Sequence, residues 1–216
     1  MNKYLKEGIL WILNIIPLIY LVSIWNVLPE QVPTHFDLAG NVNGWSGKQD
    51  LVGIILFLGI GIYFLMLFVP KFDPKKKIEQ MGEKYYSLRL LMGVFMALLS
   101  LYLLYVAKAG KINPFLLIGL IGGFYTMLGN YLQTVKPNYF IGIRTPWTLE
   151  SEETWKKTHR LAGKLWMIGG LLIIAIAFLI KSNSILSTTF FVITLIITLV
   201  PVVYSYLEFR KIHSVK

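Results

Sequence analysis

Long apolar runs separated by short polar stretches dominate the chain. Six of them, Ile9–Leu28, Leu51–Val69, Leu88–Ala107, Pro114–Leu132, Leu165–Ile180 and Leu186–Leu207, come close to or exceed the roughly 20 residues that a helix needs to cross a bilayer. None alternates apolar and polar positions as a barrel strand would. Backbone groups in lipid must be satisfied within their own segment, so each run predicts a helix. The expected fold class is all-α: a polytopic membrane protein of about six transmembrane helices in a single domain spanning residues 1–216. The first run follows Lys3 and Lys6, as the apolar part of a signal peptide would. It is too long for that role and no small-residue cleavage site comes before Pro29, so it reads as a retained anchor.

Composition sharpens this picture. Hydrophobic residues make up 56% of the chain and charged ones 15%, where a soluble domain carries about a quarter charged. There is no cysteine, which excludes disulfides and thiolate chemistry. The net charge is +10. With the N-terminus in the cytoplasm, 17 lysines and arginines fall in inner segments and 4 in outer ones, so an N-in/C-in topology is expected. The basic balance then implies contact with anionic lipid headgroups. It does not imply direct nucleic-acid binding, because no aromatic-interleaved basic domain accompanies it. No Asp, Glu, Lys, Arg or His lies within the runs away from their ends, which argues against a proton-coupled pump. Asn14, Asn130 and Gln133 read as interhelical hydrogen-bonding residues. Gly119 and Gly123, with Gly122 beside them, read as a surface for close helix approach, as do Gly169 and Gly170.

Two connections carry more than turns. The outer one, residues 29–50, holds Gly40, Asn41, Asn43, Gly44 and Gly47, which suit tight turns. Among them stand His35, Phe36, Asp37, Trp45 and Lys48, so a compact folded loop presenting aromatic and polar groups is expected. His35 and Asp37 have the donor types of a metal pair, but this spacing alone does not define a site, and no metal is assigned. The inner connection, residues 134–163, runs through Asn138, Gly142, Arg144, Thr145, Pro146 and Trp147 and then turns helical. Thr148 or Ser151 can cap that helix, and Glu152 and Glu153 suit its first turn. Trp155, His159, Ala162 and Trp166 recur at helical spacing opposite Lys156, Lys157, Arg160 and Lys164. This pattern predicts an amphipathic helix in the headgroup layer leading into the fifth span. His159 with Glu152 or Glu153 has the makings of an acid–base pair, but no nucleophile or metal motif accompanies it. No catalytic residue and no cofactor are assigned.

At these loops the sequence resembles a known family. The stretch Val32-Pro-Thr-His35-Phe-Asp-Leu-Ala-Gly40-Asn-Val-Asn-Gly44-Trp-Ser-Gly-Lys48 resembles a small domain of unknown function found in SdpI-like proteins. The stretch Pro137-Asn-Tyr-Phe-Ile-Gly-Ile-Arg144-Thr-Pro-Trp147-Thr-Leu, with Trp155 and His159-Arg160 downstream, resembles the signature of the SdpI immunity family. The resemblance implies a protein that protects a bacterium from a secreted, hydrophobic, membrane-active peptide toxin. It also implies a second role, capturing a small DNA-binding repressor at the membrane. On that footing His35, Phe36, Asp37, Gly40, Gly44, Trp45 and Lys48 are expected to serve recognition outside. Asn138, Gly142, Arg144, Thr145, Pro146, Trp147, Trp155, His159 and Arg160 are expected to serve coupling inside. Two alternatives stand beside it: a transporter or flippase, and a membrane enzyme built on the inner His/Glu/Arg cluster or the outer His/Asp pair.

Overall fold

The computed structural model describes residues 2–214. Among them are six helices long and apolar enough to cross a membrane. They are α1 (Lys3–Ile24), α2 (Lys48–Phe72), α3 (Glu83–Ala109), α4 (Pro114–Leu132), α6 (Glu152–Leu179) and α7 (Asn183–Ser214), with a short α5 (Pro146–Glu150) ahead of α6. The expected polytopic, all-helical membrane architecture is therefore present. One addition is a two-stranded antiparallel hairpin, β1 (Gln31–Phe36) and β2 (Val42–Gly47), at one end of the bundle. The connection holding α5 lies at the other end.

The helices overrun the apolar runs at their polar ends. Helix α3 begins at Glu83 rather than Leu88, which carries Arg89 almost two turns into the helix. Helix α6 is continuous from Glu152 to Leu179. The amphipathic segment expected in the headgroup layer is instead its first turns. Its aromatic face is buried in protein: Trp155 is 0% and His159 1% exposed. A helical apolar stripe does not say whether lipid or protein covers it, and here α3, α4 and the loop cover it. Helix α2 contains a π turn at Phe57–Gly61. Gly59 within it faces Asn14 of α1, and a Cβ there would lie 3.2 Å from the Asn14 amide oxygen. Asn14 bonds within its own helix, to the Leu10 carbonyl at 2.8 Å.

Three apolar clusters hold the bundle. One joins α1, α2, α3 and β1 through Leu21, Leu28, Val32, Ile55 and Leu104. A second, through Ile118, Ile173, Ala177 and Leu186, joins α4, α6 and α7. The third binds these halves together at the loop end, packing Ile78, Met81, Tyr85 and Leu88 against Tyr131, Val135 and Trp155.

The closest helix contact is between α4 and α6, which touch backbone to backbone at two points. Gly122 faces Gly170: a Cβ on Gly170 would lie 2.5 Å from the Gly122 carbonyl oxygen. Gly129 faces Gly163: a Cβ on Gly163 would lie 2.6 Å from the Gly129 carbonyl oxygen. Both helices thus present glycine at a spacing of two turns, and only glycine allows this approach. Gly169 packs instead on Ile197 of α7. The expected pair Gly119 and Gly123 makes no such contact; a Cβ on either meets nothing within 4 Å.

Gly129→Leu or Gly163→Leu should therefore push α4 and α6 apart and destabilise the detergent-solubilised protein by at least ~1–3 kcal/mol, the usual cost of overpacking. Gly119→Leu should change the melting midpoint little. Equal losses from all three would refute the seam.

Candidate functional site

The two motif loops occupy opposite ends of the bundle. In the hairpin, Gln31 pairs with Gly47, Pro33 with Trp45 and His35 with Gly44, with register shifts on both sides of His35. Val32 is fully buried against the first three helices and anchors β1. Gly44 leaves room for His35, since a Cβ there would come within 2.8 Å of the histidine Cβ. His35 Nδ1 bonds Asn43. Asp37 shapes the turn: its carboxylate accepts from the Asn41 backbone N–H at 2.8 Å and from the Asn41 amide at 2.9 Å. These bonds, the side-chain one first, hold the Asp37 carboxyl below the usual carboxylate range. His35 Nδ1 and the Asp37 carboxylate are thus engaged in holding the turn. Among the described residues no group of three or more His, Cys, Asp or Glu side chains is placed to hold a metal ion.

The turn tip is tied to the far half of the bundle. Asn183, at the start of α7, donates to the Ala39 carbonyl at 2.9 Å. Gly40, at φ +88°, packs beside Asn183, Ile112 and Pro114. Lys48 pairs with Glu30 at 2.7 Å and sits over the Trp25 ring. Phe36, with Pro33 and Thr34, lines a cavity of about 270 Å³ shared with Tyr102, Val106 and Leu117. Trp45 alone of the motif aromatics stands well out, 56% exposed.

At the other end, the connection from α4 to α6 is folded onto α6 as a hydrogen-bonded plate. Asn138 is buried and its amide is fully used: Nδ2 donates to the carbonyls of Lys136 and Ile141, and Oδ1 accepts from the N–H groups of Phe140 and Ile141. Gly142, at φ +110°, lets the chain pass over His159; a Cβ there would collide with Nε2. The next N–H, of Ile143, donates to His159 Nε2 at 3.0 Å, while Nδ1 bonds the Trp155 carbonyl at 2.9 Å. One nitrogen must accept and the other donate, which defines a neutral tautomer. The imidazole stacks on Trp155 with ring centroids 4.0 Å apart, and the indole donates to the Val135 carbonyl at 2.8 Å. Neither Glu152 nor Glu153 bonds His159. Both are exposed, and Glu153 pairs with Lys157 at 2.8 Å. The acid–base pair considered from the sequence is not assembled.

Thr145 and Thr148 form a reciprocal capping box around Pro146, so Thr145 caps α5 and Ser151 caps α6. The same Thr145 hydroxyl lies 3.0 Å from Ser205, and Trp147 packs on Tyr206 at 5.0 Å, docking the motif on α7. Lys157 adds a bond to Glu208 at 2.5 Å. What the plate shows outward is Tyr139, Arg144, Pro146 and Arg160, with Trp147 half-exposed. Arg144 donates to the Tyr139 carbonyl.

One polar cluster was not visible in the sequence pattern. Arg89 of α3 forks onto Glu7 of α1 at 2.7 and 2.9 Å, and Tyr63 of α2 donates to the same carboxylate at 2.8 Å. It ties the first three helices near their loop-side ends, beside the π turn. The available signal was Glu7, the only acidic residue before Glu30.

Comparison with known proteins agrees with the two loop motifs. Residues 134–205 match the SdpI/YfhL protein family, and residues 12–62 match a domain of unknown function, DUF1648. The protein described as immunity protein SdpI from Bacillus subtilis (strain 168) is 28% identical over 216 residues, covering 97% of this chain and 99% of that relative. No solved structure matches.

Two outcomes follow from the geometry. Asn138→Ala strands the Phe140 and Ile141 N–H groups, at a cost of about 1–3 kcal/mol for each enclosed donor. The purified variant should be cut by protease within residues 134–151 under conditions where the wild type resists; equal resistance would contradict the plate. In the hairpin, a depressed Asp37 pKa means that the turn's stabilisation is complete above the ordinary carboxylate value of about 3.9 and lost as pH falls through the lower folded value. The Asn41 amide resonance should titrate below that value, and Asp37→Asn should abolish the titration. Zinc or a chelator should leave the melting midpoint unmoved.

Proposed function

We propose that this chain, which carries the SdpI/YfhL family region at residues 134–205, is a membrane immunity protein protecting its bacterium from a secreted, membrane-active peptide. The observation that carries this reading is similarity along nearly the whole chain to a protein described as an immunity protein, 28% identical over 97% of this sequence. The distribution of 17 cations against 4 supports an orientation with the hairpin outside and both termini in the cytoplasm. In that orientation the peptide meets Trp45, a large exposed ring on a braced hairpin. A rigid aromatic is a low-entropy anchor for an apolar partner.

The inner plate suits coupling rather than chemistry. Asn138, Thr145, Thr148 and His159 are buried and hydrogen-bonded, while Arg144, Pro146, Trp147 and Arg160 face outward. A cytoplasmic repressor would dock there, and its capture would respond to the peptide only if the peptide favoured one arrangement of the plate. Contacts from the hairpin tip to α7, and from α7 to Thr145 and Trp147, connect the two faces.

The test is survival of sensitive cells expressing the protein and challenged with an SDP-type killing peptide. Wild type should protect. Trp45→Ala removes an exposed ring with little effect on the fold and should lower protection by roughly tenfold, the scale of a lost aromatic anchor of about 1.4 kcal/mol or more. Arg144→Ala should protect fully and lose repressor capture in a membrane pull-down. No protection by well-expressed wild type would sink the reading.

A further inference from the structure

We propose that the groove between α3 and α4 binds a membrane phospholipid, taking one acyl chain along the helices and an anionic headgroup at the loop end. This goes beyond the immunity reading and does not depend on it.

Two adjoining cavities make the groove. The first, about 270 Å³, is apolar: Val94, Phe95 and Leu98 of α3 face Gly119, Gly123 and Phe124 of α4. The second, about 360 Å³, is polar: Lys84 and Ser87 of α3 face Asn130, Tyr131 and Thr134. Leu91 and Met127 belong to both, so the two are continuous. On α3 the lining positions recur every three to four residues, one helix face. Gly119 and Gly123 form the floor, and a Cβ on either meets nothing within 4 Å. Their missing side chains hollow this face instead of joining helices, since Gly122 and Gly129 do that work on the other side of α4.

The shape and charge fit an amphiphile. From Gly119 to Met127 the apolar floor rises roughly 12 Å at 1.5 Å per residue, comparable to one leaflet's share, about 15 Å, of the hydrocarbon core. The polar end then lies at headgroup depth. There Lys84 has no carboxylate partner among the described residues, because the neighbouring Glu83 is taken by Lys6. A free cation with exposed amide and hydroxyl groups around it recognises a phosphate-bearing headgroup.

The experiment uses the full chain in nanodiscs of phosphatidylcholine with phosphatidylglycerol as the minor component, followed by transfer to mild detergent and native mass spectrometry. Wild type should retain phosphatidylglycerol over phosphatidylcholine. Gly123→Leu and, independently, Gly119→Leu place a side chain into the floor, where a Cβ meets nothing within 4 Å, and should cut retention of both lipids roughly tenfold, about 1.4 kcal/mol. Lys84→Gln should keep a bound lipid and lose the preference for the anionic one. Melting midpoints of all three should match wild type in lipid-free detergent. Unchanged retention in both leucine variants overturns the site. So does a switch from dimer to monomer in those variants, which would assign the groove to a second copy of the chain.

Discussion

The α4–α6 seam sets the geometry of the loop end of the protein. With no hydrophobic driving force between helices in lipid, association rests on close packing and hydrogen bonds. Gly122 against Gly170 and Gly129 against Gly163 bring two backbones into contact over two turns. The 13 residues from Gln133 to Thr145 must then pass between helix ends that cannot separate. They do so by lying flat on the first turns of α6, where Trp155 and His159 meet them. A wider spacing would leave the Val135 carbonyl and the Ile143 N–H out of reach of those two rings.

The plate and the seam explain each other's composition. A buried connection must satisfy its own backbone, and the motif residues are those that do it: Asn138 with four bonds, His159 with two, and Thr145 and Thr148 capping α5 reciprocally. Gly142 supplies the one backbone conformation that lets the chain cross the imidazole. Most of the motif is therefore occupied in holding a shape. The groups left to interact with something else are few, exposed and next to one another, which is the usual division between scaffold and function in a loop.

How much of this was readable depended on which property the sequence encodes directly. The spans were legible because hydropathy over roughly 20 residues is a bulk property; Pro114–Leu132 has the same bounds as the helix. The helix caps were legible in chemistry but not in assignment, since Thr148 serves the capping box of α5 rather than starting α6. The hairpin was read only as a compact loop, because its strands are short and their alternation is broken by the shifts around His35. The amphipathic start of α6 was misplaced into lipid headgroups, because periodicity identifies a face and not what covers it. The glycines are legible as packing residues, and Gly122, Gly169 and Gly170 do pack, while Gly119 and Gly123 do not; the three of α4 stand together, and only Gly170 of α6 distinguishes which side of α4 packs.

That last ambiguity has a physical consequence for the whole bundle. A helix with glycine on two faces can spend one on contact and leave the other hollow, and α4 does both. The contact side joins α4 to α6, and α6 joins α7 where Gly169 packs on the Ile197 side chain, while the hollow side is turned toward α3, where the two halves meet. The halves are consequently pinned at their ends, by Asn183 on the hairpin tip and by Tyr85 and Leu88 on Trp155 and Val135. Between those pins the halves meet where Phe95 of α3 stacks on Phe124 of α4, ring centroids 4.1 Å apart, beside the open groove. Two routes lead from the hairpin to the plate: through α7, which touches both, or through α3, which packs on β1 at one end and on Trp155 at the other. The first route is built of hydrogen bonds and ring contacts, and the second of apolar packing beside an open groove, so the two would respond differently to what fills the membrane around them.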